Sequence, residues 1–406
     1  MLKAILEAAK LDSAFCAELL GVPRDQFSQW LLAARPIPDF IIPELCSILG
    51  VREKELAPKR MLRNASESML APAIWFKLRD ERLTEADREL VAVIRKLGFY
   101  LTQLQSIRGR VTRFDPLFRS VRDRVDKTAP PAIQGKVAAL AFRSASGLGQ
   151  REIGIGEALR PFLRALGILV IESPLSKSSV DGCSFQVGYE GSLTPTLFAN
   201  TYGSTWFRRN VILMHELGHA IFDLDNEQVA VDYKDEDASG LSESRAQAFA
   251  QECLVPKSVL VQFASRFGLK WESLTEKDLA ILISNCHVEQ RLVLRAALEA
   301  ELIDQEHFEK YILFDCAGWT REFSPHALST QEYIDTLSSD ASRWWLAENR
   351  NTTVGTRTVR LPSGYIAQVL DALNANEISS RKAAEMLLMD EESVQERFGE
   401  LLTVSA

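Results

Sequence analysis

The stretch VILMHELGHAIFD, residues 211–223, sets two histidines four apart in an apolar run. Apolar residues recur there at three and four, which predicts a helix. Residues i and i+4 share one helix face, with Cβ atoms about 5–6 Å apart. His215 and His219 can therefore reach one ion, and zinc takes imidazole nitrogen readily. Glu216 lies one step round the helix, where it can reach a water on that ion without ligating it. Two ligands and a general base are the mechanics of the HExxH pattern. The chain has five histidines in 406 residues, so the pattern is unexpected by chance. The plainer alternative is a helix holding two hydrogen-bonded core histidines.

A catalytic zinc usually takes three protein ligands plus a water, so a third is expected downstream. Asp223, Asp225, Glu227, Asp232, Asp235, Glu236 and Asp237 follow at once, but so acidic a run reads as a solvated loop. Glu243, in LSESRAQAFAQECLVP, is the better candidate. Ala246, Phe249, Ala250, Cys253 and Leu254 mark the apolar stripe of a helix, and Glu243 lies on that stripe. A carboxylate on an inward face is costly unless paired, and a zinc ion would pair it. Ser242 as N-cap would instead leave Glu243 in the first turn, complementing the helix dipole. Such a site implies metal-assisted amide hydrolysis, with Glu216 moving the proton. Tyr202, Tyr233, Arg208 and His287 are candidates to stabilise the oxyanion, each with a structural role as the alternative.

Upstream, GILVIE (167–172), DGCSFQVGY (181–189) and TPTLFAN (194–200) read as short strands separated by Gly, Pro and Ser. Most of the remaining chain has helical periodicity. The fold class expected is mostly α with a small α+β domain, a short antiparallel or mixed sheet packed on the HExxH helix. As an edge strand, TPTLFAN could pair with an extended peptide through Leu197, Phe198, Ala199 and Asn200; as a core strand it would only pack. A hydrophobic content of 46% and a charged content of 25% are ordinary for a soluble protein. The net charge of −8 gives no whole-chain nucleic-acid signature. No signal peptide or membrane span is legible, so a cytoplasmic protein is expected. The six cysteines are scattered without a CxxC pair and read as reduced, buried thiols.

The order GILVIE, DGCSF, PTLFAN, RRNVILMHELGHAIF, ESRAQAFAQECLVP resembles the ImmA/IrrE family of metallopeptidases (DUF955) across roughly 135–260. Five separate segments agree in sequence and spacing. The resemblance implies a gluzincin-like endopeptidase with one Zn2+ per chain, manganese being the alternative ion. It makes His215, His219 and Glu243 the ligands and Glu216 the catalytic glutamate. The long acidic stretch between His219 and Glu243, and QECLVP in place of a more apolar ending, depart from the family's pattern. APAIWFKLR (71–79) and NCHVEQRLVLRAAL (285–298) resemble segments flanking the core in long members; His287 there reads as a packing residue.

LDSAFCAELLGVPRDQFSQWLLAAR (11–35) has helix-turn-helix spacing, with Phe27, Trp30 and Leu31 inward, and resembles the XRE repressor-like domain. In such a fold Arg24, Gln26, Ser28 and Gln29 would face the major groove. Residues 1–60 carry eight Lys/Arg and eight Asp/Glu, not a basic footprint, so a module that binds protein is the alternative. The arginines of 108–127 could contact phosphates or form a solvated helix face. Residues 376–402 repeat the helix-turn-helix rhythm with an acidic second helix. The organisation expected is an XRE-like domain at 1–60, a helical connection at 61–134, a zincin-like domain at 135–260 and a helical C-terminal region at 261–406. By family analogy the substrate is an XRE-type transcriptional repressor, cut to derepress stress, mobile-element or phage-defence genes. The rival is a non-catalytic DNA-binding regulator whose zincin domain senses a ligand or partner. Neither oligomeric state nor activating signal is legible.

Overall fold

A computed structural model of the chain describes residues 1–51, 53–56, 83–109, 114–148, 155–175, 178–189, 192–223, 229–233, 240–324, 351–354, 357–399 and 402. The segment 71–79, residues 110–113, and Asp225, Glu227, Asp235, Glu236 and Asp237 lie outside that set, as do the side chains of Asp232 and Tyr233.

At the N-terminus, helices α1 (Leu2–Ala9), α2 (Ser13–Leu19), α3 (Arg24–Leu31), α4 (Ile42–Leu49) and α5 (Glu53–Leu56) follow in close succession. Asp12 caps α2, its carboxylate accepting from the backbone N–H groups of Ala14 and Phe15 at 2.8 and 2.9 Å. Phe27 and Trp30 are buried in edge contact, as their spacing predicts. Arg24 and Ser28 are exposed; Gln26 and Gln29 are half-buried.

Helix α6 (Glu85–Ile107) opens with a capping box between Thr84 and Asp87 and is buried along nearly its whole length. Four strands, β1 (Leu169–Ser173), β2 (Val180–Tyr189), β3 (Ser192–Asn200) and β4 (Val229–Tyr233), form a mixed sheet in the order β1-β3-β2-β4. β1 is parallel to β3, and β2 is antiparallel to both β3 and β4. α6 covers one face of this sheet. The other is covered by α10 (Trp206–Phe222), which carries both histidines. Side chains alternate accordingly: Cys183, Phe185, Val187 and Phe198 join one core, while Leu197 and Ala199 join the other. With both faces covered, β2 is buried almost throughout.

Two features differ from the sequence expectation. TPTLFAN is not an edge. It lies inside the sheet, paired from Thr196 to Asn200 with β1 and from Ser192 to Ala199 with β2. Its backbone groups are already taken, so Leu197, Phe198, Ala199 and Asn200 cannot receive a peptide strand. Asn200 instead fastens the neighbouring loop, its amide bonding the carbonyls of Leu175 and Val180 and its oxygen accepting from Leu175 N–H. Second, the acidic run 223–237 is not all loop: Val229–Tyr233 is an outer strand.

On the α10 side, α7 (Phe114–Arg122), α8 (Pro131–Ala145) and α9 (Leu159–Ala165) precede the sheet. In α7, Leu117, Phe118 and Val121 are buried, Arg119 is exposed, and Arg122 donates to the Ile221 carbonyl at 3.0 Å. After the sheet come α11 (Leu241–Leu254), α12 (Lys257–Phe267), α13 (Glu276–Cys286), α14 (Gln290–Glu299), α15 (Gln305–Tyr311) and α16 (Ala317–Phe323). A two-stranded antiparallel ribbon, β5 (Asn351–Val354) and β6 (Arg357–Arg360), leads to α17 (Ser363–Asn374), α18 (Ser380–Met386) and α19 (Glu391–Phe398). These last helices share one core with α1–α6. Ala383, Ala384 and Leu387 point into it. No described helix is long and apolar enough to cross a membrane. All six cysteines are buried thiols, none in a disulfide among the described residues. Burial pushes the thiols of Cys16, Cys286 and Cys316 up to about 12 and raises that of Cys253 as well, so these four are neutral thiols near pH 7.

Candidate metal centre

α10 starts at Thr205, whose hydroxyl accepts from the Arg208 N–H at 3.2 Å. Trp206, Leu213, Met214, Leu217 and Ile221 are completely or almost completely buried along it. Each leucine contributes about 1.5–3 kcal/mol through burial, so the register of the helix is firmly set. That register decides where the polar residues go. Glu216 is fully buried against the sheet, His219 is 1% exposed, and the His215 side chain is 18% exposed.

Two glycines permit the close approaches. A Cβ on Gly182 of β2 would come within 2.5 Å of Glu216 Oε1, so the carboxylate occupies space that any other residue would fill. A Cβ on Gly218 would meet Ala246 Cα at 3.1 Å, so α10 and α11 cross nearly in backbone contact. This crossing brings Glu243 to the histidines. Glu243 lies in the first turn of α11, whose N-cap is Gly240 rather than Ser242. Glu243 thus lies where it complements the helix dipole and also stands beside His215 and His219.

Three atoms converge. His219 Nε2 is 3.1 Å from His215 Nε2 and 3.3 Å from Glu243 Oε2, and His215 Nε2 is 3.2 Å from the same oxygen. Among the described residues this is the group of three ligand-type side chains that could hold a metal ion. Ligands about 2.0–2.1 Å from a tetrahedral zinc stand roughly 3.3–3.4 Å apart, close to these separations. The chemistry of the three atoms agrees. His219 Nδ1 lies 2.8 Å from Asp223 Oδ2. A carboxylate can only accept, so neutral His219 has its proton on Nδ1 and a bare Nε2. That lone pair faces a carboxylate oxygen and a second imidazole nitrogen. A cation at the centre would be shared by all three atoms. The residues fit a metal.

Asp223, the first member of the acidic run, therefore stands behind His219 and not in the triangle. Its other oxygen is held by the Arg245 guanidinium, which also donates to Gln134 of α8 at 3.2 Å and lies over the Phe222 ring at 4.8 Å. The spacing His219–Asp223 is i,i+4, a signal present in the sequence but hidden among seven acids. Of the oxyanion candidates, Arg208 pairs with Asp181 at 2.6 Å and Tyr202 is exposed. His287 packs edge-on to Trp206, with ring centroids 5.4 Å apart, and its carbonyl accepts from Asn210 at 2.9 Å, the packing role expected. A further network braces the helix start. Arg160 forks onto Glu172 of β1 with two 2.6 Å bonds and reaches Asn210, while buried Arg209 stands 3.3 Å from Glu172. A cavity of about 1360 Å³ lies elsewhere, between α3, α4, α6, the β2–β3 hairpin and α18–α19, with Gln26 on its wall.

A helix bearing two imidazoles, a carboxylate from the helix crossing it and a small mixed sheet behind define an α+β domain with a candidate metal centre. Residues 163–277 match the family model of the IrrE N-terminal-like domain, peptidase M78. The match spans β1–β4, α10 and α11 and agrees with the resemblance of the motif order to the ImmA/IrrE metallopeptidases. No curated protein and no solved structure matches the chain.

Proposed function

We propose that the protein is a zinc-dependent endopeptidase in which His215, His219 and Glu243 hold the ion and Glu216 is the general base. The observation that carries this is the convergence of two imidazole nitrogens and a carboxylate oxygen within 3.3 Å of one another. Bound zinc supplies a polarising charge for the scissile carbonyl and lowers the pKa of water. Glu216 accepts a proton from the attacking water and delivers it to the leaving amine. The close contact of its carboxylate with Gly182 and its burial keep it in one place for both transfers. His215 and Glu243, the more exposed members, mark the side from which a substrate enters.

The substrate in this reading is an XRE-type repressor, and the α2–α3 helix pair is the module that docks DNA or a protein through Arg24, Gln26, Ser28 and Gln29. The experiment is incubation of the zinc-loaded protein, beside Glu216→Gln, with repressors encoded near its gene. A discrete cut made only by the wild type supports the proposal. Operator binding by the full chain with every repressor left intact would favour the non-catalytic regulator.

A further inference from the structure

Granted the metal-site reading above, we propose that Asp223 is its positioning residue: it fixes His219 with Nε2 bare toward the ion, and Arg245 clamps Asp223 for that task. An imidazole has two nitrogens, and the partner of one decides whether the other is free to ligate. His219 is almost wholly buried, so solvent cannot make that choice. Asp223 follows it by one helical turn and closes α10, its own N–H bonding the His219 carbonyl at 2.7 Å. Its Oδ2 accepts a hydrogen bond from Nδ1–H at 2.8 Å. The free pair on Nε2 then points at His215 Nε2 and Glu243 Oε2.

Left alone, a residue at a helix end would swing. Here the second carboxylate oxygen is bound by Arg245, which is anchored in turn by the Gln134 amide oxygen and the Phe222 ring. Arg245 stands two residues from Glu243 on α11. One helix thus delivers both the third ligand and the clamp on the residue behind the second ligand. Any shift of α11 along α10 would disturb both together. A plain interhelical salt bridge is the competing account. Such a pair, with side chains 19% and 23% exposed, contributes modestly to stability and would leave the tautomer of His219 untouched.

The test uses the full chain. Zinc affinity is measured by competition with a chromophoric chelator for wild type, Asp223→Ala, Asp223→Asn and Arg245→Met. Imidazole 15N spectra of the metal-free proteins report the tautomer, and thermal melts report the fold. The wild type is expected to bind one zinc, with His219 protonated on Nδ1. Asp223→Ala should bind about 10–100-fold more weakly, the usual cost of losing an outer partner of a ligating histidine. Asp223→Asn, whose amide oxygen still accepts from Nδ1, should lose less, and Arg245→Met should fall between it and the wild type. Should Asp223→Ala not fold, Asp223→Asn and the wild-type tautomer still decide. Unchanged affinity in Asp223→Ala, or an Nε2-protonated His219 in the metal-free wild type, overturns the role of Asp223 while leaving the metal site standing. A wild type that takes up no zinc overturns the metal reading and this role with it.

Discussion

The two faces of the small sheet both carry buried polar clusters, and one cluster on each face differs in kind from the other. On the α6 side, Lys96 and Glu44, 2% and 7% exposed, stand 3.1 Å apart, and Lys96 also donates to the Leu19 carbonyl. The Tyr100 hydroxyl bridges the Glu44 and Glu385 carboxylates at 2.8 Å each, and Lys382 pairs with Glu385 at 3.0 Å. Every negative group there meets a donor or a cation. The network ties α4 of the N-terminal helices and α18 of the C-terminal ones to α6. On the α10 side, His219 presents a lone pair to the carboxylate of Glu243. A cluster of opposite charges is complete as folded. Two imidazoles beside a carboxylate are a donor set that one cation can share. The first reads as structure and the second as a site.

The largest expected effect separates catalysis from binding on the α10 side. Glu216→Gln should lower peptide hydrolysis by about 10²–10⁴-fold, the usual contribution of a general base, with zinc content unchanged. Hydrolysis at the wild-type rate would remove Glu216 from the mechanism. Glu243→Ala should weaken zinc binding by more than the roughly 10–100-fold expected for an outer partner; chelator competition reads this directly. Unchanged affinity would move the third ligand into the acidic run.

On the α6 side, Lys96→Met should destabilise the fold by about 3–5 kcal/mol, because Glu44 would remain buried without its cation. Denaturant unfolding measures this, and zinc stoichiometry should not change. Gly182→Ala is milder, about 1–3 kcal/mol of overpacking, but should cut activity because its Cβ displaces Glu216. The smallest effect is in pH. Burial works against ionisation of Glu385, yet Lys382 and Tyr100 hold its carboxyl below the ordinary 4.5. A depressed folded pKa gives stability that is full above that ordinary value and is lost as pH falls through the folded one. Melting temperature measured from neutral to acid pH should fall in this window, and less steeply in Glu385→Gln.

The α10 helix, the three strands β1–β3 and the helices α2, α3, α18 and α19 are legible in the sequence because each is a local period. His215, Glu216 and His219 follow from spacing alone. Glu243 required the resemblance to outweigh a first-turn capping role, and α11 shows the two are compatible. What was not legible is pairing order. TPTLFAN has the composition of an edge or a centre equally, and only the return of β1 alongside it settles that it is central. β4 was masked by its acidic neighbours, although VAVDY carries the β-branched residues and tyrosine of a strand. Asp223 looked like one of seven equivalent acids, since the clamp that distinguishes it, Arg245, comes from another helix. Burial of Arg95, Lys96 and Glu44 was equally hidden, because charge reads as exposure until partners from distant segments surround it.

The central claim is that the three ligand-type side chains between α10 and α11 exist to hold an ion. Elemental mass spectrometry of the purified wild type beside His219→Ala tests it most directly. The account predicts about one zinc per chain in the wild type and loss of that zinc in His219→Ala, with the helical content of the two proteins alike. No metal in either protein after zinc is supplied would contradict it and return His215 and His219 to the role of core histidines.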